Sequence, residues 1–197
     1  MKMQGLEKLL VNNRWSRKRV LKLAKKLLGY IETGDDTDFL DIGCGNGEVA
    51  KYIAQTYRGN VTGIDIDPEQ VKIARDSDGD IPHLKYLEAD STDLPFEDDS
   101  FDVVLSFGVL HHIDNWDDAL EEIKRVLRKG GYFIYGDIIY PEAITDMDKS
   151  SGFSFGLATV DVGEVDSFLE ESGFVKIHSS VEKSFVVKNY EAVYRRG

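Results

Sequence analysis

One cysteine, Cys44, stands in a chain of 197 residues, so no intrachain disulfide and no cysteine-based metal cluster can form. There are only four prolines, and no Pro- or Gly-rich stretch marks a linker between domains. No apolar run approaches the ~20 residues that span a bilayer. No signal-peptide core follows the charged N-terminus, so a cytoplasmic location is the expectation. Cations are outnumbered: 24 Lys and Arg face 36 Asp and Glu, a net charge of −12. That balance opposes nonspecific attraction to nucleic acid or anionic lipid. Repeats and low-complexity tracts are also missing.

The cations that exist are concentrated. Residues 1–30 hold nine Lys or Arg and one acid, Glu7, for a local charge of +8, leaving −20 on the rest. Three readings stay open for this basic N-terminus: a solvated helix face docked on an acidic domain, a cap that recognises a carboxylate or phosphate on a substrate, or contact with RNA or an anionic membrane.

Hydrophobic periodicity switches repeatedly between strand-like and helix-like, which favours a doubly wound α/β domain with a mostly parallel sheet. Val20, Leu21, Ala24, Leu27 and Leu28 share one helical face, and Leu6, Leu9 and Leu10 suggest a short helix before it. Strands are expected at 39–42, 61–66, 84–87, 101–106 and 132–139. Asp67-Pro68-Glu69 is a helix start, with Asp67 as cap. Trp116, Ala119, Leu120, Ile123, Val126 and Leu127 form another helical face, which Gly130-Gly131 should end. A helix around 162–169, closed by Gly173, precedes two strands, 174–180 and 185–194. Their short link permits an antiparallel hairpin but no parallel crossover. The whole chain reads as one domain: a helical cap (1–34), a core (35–140), a connecting loop (141–160) and a final helix and strand pair (161–197).

The sharpest signal is Phe39-Leu40-Asp41-Ile42-Gly43-Cys44-Gly45-Asn46-Gly47. A buried strand runs into a turn with glycine at alternate positions, where missing Cβ atoms let a ligand approach the backbone. The following helix offers N–H groups and a positive dipole end. Dinucleotide sites prefer a third glycine at the place occupied here by Glu48, and a carboxylate there opposes a pyrophosphate while tolerating an amino group or a sulfonium.

This segment resembles the first motif of the class I S-adenosylmethionine-dependent methyltransferases, and the likeness runs over roughly residues 35–140. The resemblance implies a seven-stranded, Rossmann-like sheet with an antiparallel last strand and helices on both faces. It implies S-adenosylmethionine as cofactor, with Asp41, Gly43, Cys44, Gly45, Asn46 and Gly47 on its methionine side. Asp65, in Gly63-Ile64-Asp65-Ile66-Asp67, would accept both ribose hydroxyls, and Ile66 would lie on the adenine. Asp90 would accept the adenine amino group, with the Ser91 backbone amide beside the ring. After strand four, Ser106-Phe107-Gly108-Val109-Leu110-His111-His112-Ile113 looks like the stretch common in the small-molecule branch of that family. Phe107 is then a wall of the cofactor or substrate pocket, and His111 or His112 a candidate general base. The two histidines are not expected to share a metal, since neighbouring helical positions point about 100° apart. Arg125-Val126-Leu127-Arg128-Lys129-Gly130-Gly131 resembles the family's stretch before strand five and reads as structural. Asp76-Ser77-Asp78-Gly79-Asp80 reads as a solvated turn, being too short for a calcium loop.

The expected function is methyl transfer to a small-molecule acceptor, possibly anionic or amphipathic. The loop at 140–160, with Tyr140, Phe153 and Phe155, and the N-terminal helices should choose that acceptor. Competing readings are methylation of RNA or protein, a cofactor-binding protein without transfer activity, and, as an outsider, a nicotinamide oxidoreductase. Oligomeric state is not readable.

Overall fold

The computed structural model of the protein describes residues 14–139, 160–183 and 188–197. The expected helix around Leu6–Leu10 and the loop residues Tyr140, Phe153 and Phe155 lie outside them. In chain order the elements are α1 (Arg14–Leu28), β1 (Phe39–Ile42), α2 (Glu48–Thr56), β2 (Val61–Asp65), α3 (Pro68–Asp78), β3 (Leu84–Glu88), β4 (Phe101–Phe107), a 3₁₀ turn (Leu110–His112), α4 (Trp116–Val126), β5 (Leu127–Ile139), α5 (Val162–Glu171), β6 (Phe174–Lys183) and β7 (Lys188–Arg196).

The seven strands form one sheet in the order β3-β2-β1-β4-β5-β7-β6. The first five pair in parallel, whereas β7 runs antiparallel to both neighbours. The order reverses between β1 and β4, and ligands of such sheets bind outside the carboxyl ends of the strands at that switch point.

Strand alternation sends successive residues to opposite faces, and two cores result. Leu40, Ile42, Val104, Phe133, Tyr135, Ala192 and Tyr194 meet α4 and α5. Phe39, Val61, Val103, Leu105, Ile134 and Val193 meet α1, α2 and α3. On α4, Ala119, Leu120, Ile123 and Val126 are fully buried, and each of the larger three contributes about 1.5–3 kcal/mol on burial. On α1, Ala24, Leu27 and Leu28 are buried as the periodicity implies, and Leu23 adds a contact that the pattern did not mark.

Two boundaries differ from expectation. Gly130-Gly131 does not end the α4 helix. The chain turns extended at Leu127, and both glycines lie inside β5, where the pairing with β4 shifts register between Phe101 and Val103. A Cβ at Gly131 would collide with the Asp102 carbonyl oxygen at 2.7 Å, so the pair serves a bulge. Nor is the Asp76–Asp80 stretch simply a solvated turn. Residues 76–78 finish α3, and Asp78 is buried with Lys51 3.7 Å away. Gly173, by contrast, follows α5 with φ +90, next to the cap residue Ser172.

Candidate functional site

The turn after β1 is built by hydrogen bonds that its sequence dictates. Cys44 N–H donates to Ile64 O (2.8 Å) and Gly47 N–H to Cys44 O (2.9 Å). Gly45 and Gly47 take φ +52 and +82, conformations that cost a side chain roughly 1–2 kcal/mol. Gly47 is further constrained, since a Cβ there would strike the Tyr86 hydroxyl. At Gly45 the situation is opposite: the nearest atom to a Cβ would be Gln70 Oε1 at 3.9 Å. The backbone at Gly45 therefore borders open space.

That space is a cleft of about 240 Å³ at the carboxyl ends of the strands. Ile42, Gly43 and Gly45 supply one end and Ile64, Asp65 and Ile66 the side toward β2. Ala89, Asp90, Ser91 and Thr92 come from the loop after β3. Phe107, Gly108, Val109 and His112 to Asn115 come from the segment after β4. The cleft thus gathers Gly43, Gly45, Asp65, Ile66, Asp90, Ser91, Phe107 and His112 from the residues singled out in the sequence. Asp41, Cys44, Asn46, Gly47 and His111 are not among its lining residues. Ile42, Ile64, Ala89, Thr92, Gly108, Val109, Ile113, Asp114 and Asn115 line it without having been named as site residues. Their only sequence signal is nearness in the chain to residues that were.

Asp65 has two tasks that the sequence did not separate. Its Oδ2 accepts the Gly45 N–H and its Oδ1 the Asp67 N–H, both at 2.9 Å. The carboxylate therefore staples the glycine turn to the start of α3, and with about four acceptor sites it can also receive ligand hydroxyls. Asp67 caps α3 through the Glu69 N–H at 3.0 Å. Asp90 folds its own loop by accepting from the Thr92 N–H and hydroxyl, both at 2.9 Å.

Asp41 lies under the turn, 2 % exposed. Burial pushes its carboxyl up to about 7, against a restraining hydrogen bond from the Ala50 N–H and with help from the nearby Asp65 charge. Its Oδ2 has no hydrogen-bond partner. Burial likewise pushes the Cys44 thiol well above its ordinary value, with Asp41 and Asp65 adding to the effect. Cys44 is therefore not a nucleophile here.

Behind the 3₁₀ turn lies a pair absent from the sequence reading. His111 Nδ1 meets the Asp137 carboxylate, and both side chains are almost fully buried. Asp137 also accepts the N–H of Ile138 at 2.7 Å and of His111 at 3.3 Å, and the Tyr135 hydroxyl lies 3.4 Å away. The His111 and His112 rings stand 3.8 Å apart. The available signal was an acid inside the otherwise apolar run of β5, Tyr132 to Ile139.

The basic helix docks on the domain. Arg17 pairs with Glu48 at 3.5 Å and Lys26 with Glu191. Lys25 lies 4.4 Å over the Tyr52 ring, and Arg19 reaches Asn189. Lys18 and Lys22 stay exposed. Among the described residues, no helix is long and apolar enough to cross a membrane.

The glycine turn, the acid closing β2 and the strand order together define a class: they are those of a class I S-adenosylmethionine-dependent methyltransferase domain. Residues 40–135 match the family described as a methyltransferase domain. The chain is 42% identical over 100 residues to a probable phthiotriol/phenolphthiotriol dimycocerosates methyltransferase of Mycobacterium ulcerans, covering 50% of this chain and 38% of that protein. It is 35% identical over 161 residues to the 27-O-demethylrifamycin SV methyltransferase of Amycolatopsis mediterranei, covering 77% and 59%. The match thus spans about two fifths to three fifths of these relatives. The putative methyltransferase solved in complex with the Haloferax volcanii Trm112 activator shares the fold, with a TM-score of 0.79 at 21% identity, covering 99% of this chain and 98% of that one.

Proposed function

We propose that this chain transfers the methyl group of S-adenosylmethionine to a small-molecule acceptor, with the cleft as the cofactor site. The observation that carries the reading is the donor set. Carboxylates, backbone groups and apolar side chains line the cleft, and none of its described lining residues is Lys or Arg. Such a set suits hydroxyls, an amine and a sulfonium, and it does not suit a pyrophosphate. Gly43 and Gly45 would hold the methionine portion, with Asp41 and Gly47 supporting them from behind. Asp65 would take the ribose hydroxyls. Ile66, Val109 and Ile113 would sandwich the adenine, with Asp90 and Ser91 at its polar edge.

When bound, the cofactor supplies an electrophilic methyl on a positively charged sulfur, so the hard chemistry is its own. The chain's residues would orient the acceptor in line with the carbon–sulfur bond and exclude water. Phe107 stands at the mouth over β4, and Gly136 beside it lacks the Cβ that would strike the Phe107 ring and Leu23 of α1. This close fit of α1, β4 and β5 supports α1 as one wall of the acceptor site. The two curated relatives named above carry small molecules in their names, which supports a small acceptor. The exposed cations of α1, Lys18 and Lys22 among them, would meet an anionic group on it. The other contacts of α1 favour a docked helix over one that binds RNA or membrane.

The test is titration calorimetry with S-adenosylmethionine, S-adenosylhomocysteine and NAD. Wild type should bind the first two. Asp65→Ala should weaken both but also loosens the turn, so Ile66→Glu serves beside it: Ile66 is 37% exposed, and its replacement leaves the core intact. Binding of NAD alone, or unaltered binding in both variants, would refute the assignment. Cofactor binding with no transfer to any acceptor would favour a sensor or partner subunit.

A further inference from the structure

The sheet ends at β6, and no described strand pairs with its outer side. A free edge presents unpaired N–H and C=O groups and templates a further strand unless charge, proline or a bulge blunts it. The two edges of this sheet differ in that respect. β3 is five residues long and carries no exposed large apolar side chain. β6 is ten residues long, contains no proline and exposes Val175, Ile177 and Val181. A bulge interrupts it between Lys176 and His178, and from His178 to Lys183 its register with β7 is regular.

Residues of that regular stretch alternate between the two faces of the sheet. His178 stacks on Tyr30, just past the end of α1, with ring centres 4.0 Å apart. Its Nε2 lies 3.4 Å from the Glu191 carboxylate, which also holds Lys26 of α1. His178, Ser180 and Glu182 therefore share the face on which α1 lies. Ser179 and Val181 share the other, where Val181 stands opposite the core residue Tyr190.

We infer that two copies of this chain pair antiparallel along β6, about a two-fold axis at Ser180. In that register His178 of each copy stands opposite Glu182 of the other, so two imidazole–carboxylate pairs form on the α1 face. Val181 stands opposite Ser179 of the other copy on the far face, twice, and loses its exposure. The match comes from one strand meeting itself, as an isologous contact requires. Moving the axis by one residue loses it. With the axis at Ser179, Val181 and Glu182 face the bulge of the other copy. With the axis at Val181, His178 has no partner within the regular stretch. The pairing also sets a second carboxylate, Glu182 of the other copy, beside the cluster that fastens Lys26, and with it α1, to the sheet.

Sedimentation of the purified chain across a dilution series tests the pairing, and single cysteines test its register. Wild type should pass reversibly from monomer to dimer as concentration rises. Val181→Lys changes an exposed position and should abolish the dimer. Glu182→Lys removes both carboxylates and should weaken association about tenfold. Both variants should unfold thermally as wild type does at the dilute end of the series. Directly opposite Cα atoms lie about 4.5–5.5 Å apart, within reach of a disulfide. Equivalent residues one place off the axis lie about 8 Å apart, beyond that reach. Under mild oxidation Ser180→Cys should therefore cross-link two copies at least about tenfold faster than Ser179→Cys or Val181→Cys, with the native Cys44 buried and out of the way. A monomer at every concentration, a dimer that survives Val181→Lys, or cross-linking through Ser179→Cys or Val181→Cys as fast as through Ser180→Cys would overturn the inference.

Discussion

Replacing Asp41 by Asn removes one titrating group from beneath the glycine turn and leaves its shape unchanged. The carboxyl is buried, accepts the Ala50 N–H and is pushed up to about 7 from an ordinary 3.8. At 1.36 kcal/mol per pH unit that gap is about 4 kcal/mol. Below about pH 4 the acid is protonated in the folded and unfolded chain alike, and its contribution is fully present. Between about 4 and 7 the folded protein holds a proton that the unfolded chain has released, so stability falls as pH rises. Above about 7 the whole penalty is in force. Asparagine keeps the oxygen that serves Ala50 and does not titrate. Urea unfolding at pH 5, 6, 7 and 8 should therefore give two curves that diverge. The variant should be more stable than wild type by about 1–2 kcal/mol at pH 5 and by about 3–4 kcal/mol at pH 8. Other groups titrate equally in both proteins and cancel in the difference. Parallel curves would show that Asp41 ionises at an ordinary pH and that the reasoning from burial is wrong.

The same group should register in cofactor binding. A cationic ligand above the turn favours the ionised acid, so calorimetry at pH 7 in two buffers of different ionisation enthalpy should show proton release with S-adenosylmethionine, and none with Asp41→Asn. Gly47→Ala combines a left-handed backbone with a Cβ aimed at the Tyr86 hydroxyl; a loss of about 2–4 kcal/mol in urea unfolding is expected. Arg125 ties the loop before β4 to α4, donating to Leu94 O at 3.0 Å and Phe96 O at 2.7 Å as well as to Glu122. Arg125→Met should cost about 1–3 kcal/mol and speed amide exchange over residues 94–98, with β1 unaffected. Burial raises the Asp166 carboxyl, but Lys176, Tyr194 and Tyr190 outweigh it and hold it below its ordinary value. Its stabilisation is present above about pH 4 and lost as pH falls through the lowered value, so Asp166→Asn should flatten the acid limb of the stability curve.

Much of the fold was legible because its signals are local. The strand at 39–42, the cap at Asp67, the stripe on α4 and the antiparallel final pair each follow from periodicity or turn chemistry within a dozen residues. The misreadings came from tertiary effects. Gly130-Gly131 carries a helix-ending composition, but the neighbouring β4 captures the chain first and uses the glycines for a bulge. Asp78 looks like one charge in a solvated cluster until Lys51 from α2 arrives beside it. Asp65 could be matched to a ligand from its position alone, whereas its hold on the Gly45 and Asp67 amides required the fold.

The same division separates the two halves of the site. A cofactor that does not vary asks for fixed backbone shapes, and fixed shapes demand particular residues at short spacing, such as glycine where φ is positive or an acid at a strand end. Those demands are readable in sequence, and residues 40–135, which match the family, carry all of the cleft's described lining. The proposed acceptor side is assembled differently. Leu23 of α1, Phe107 of β4, and Gly136 and Asp137 of β5 meet only through the sheet, across more than a hundred residues of chain. Three of these four, Leu23, Gly136 and Asp137, lie outside the matched segment. No spacing rule links a histidine after β4 to an acid ten residues into the next strand. His111 could therefore be named from sequence as a candidate base, but its orientation could not: that depends on which imidazole nitrogen Asp137 occupies, and Asp137 becomes its partner only when β5 is laid beside β4.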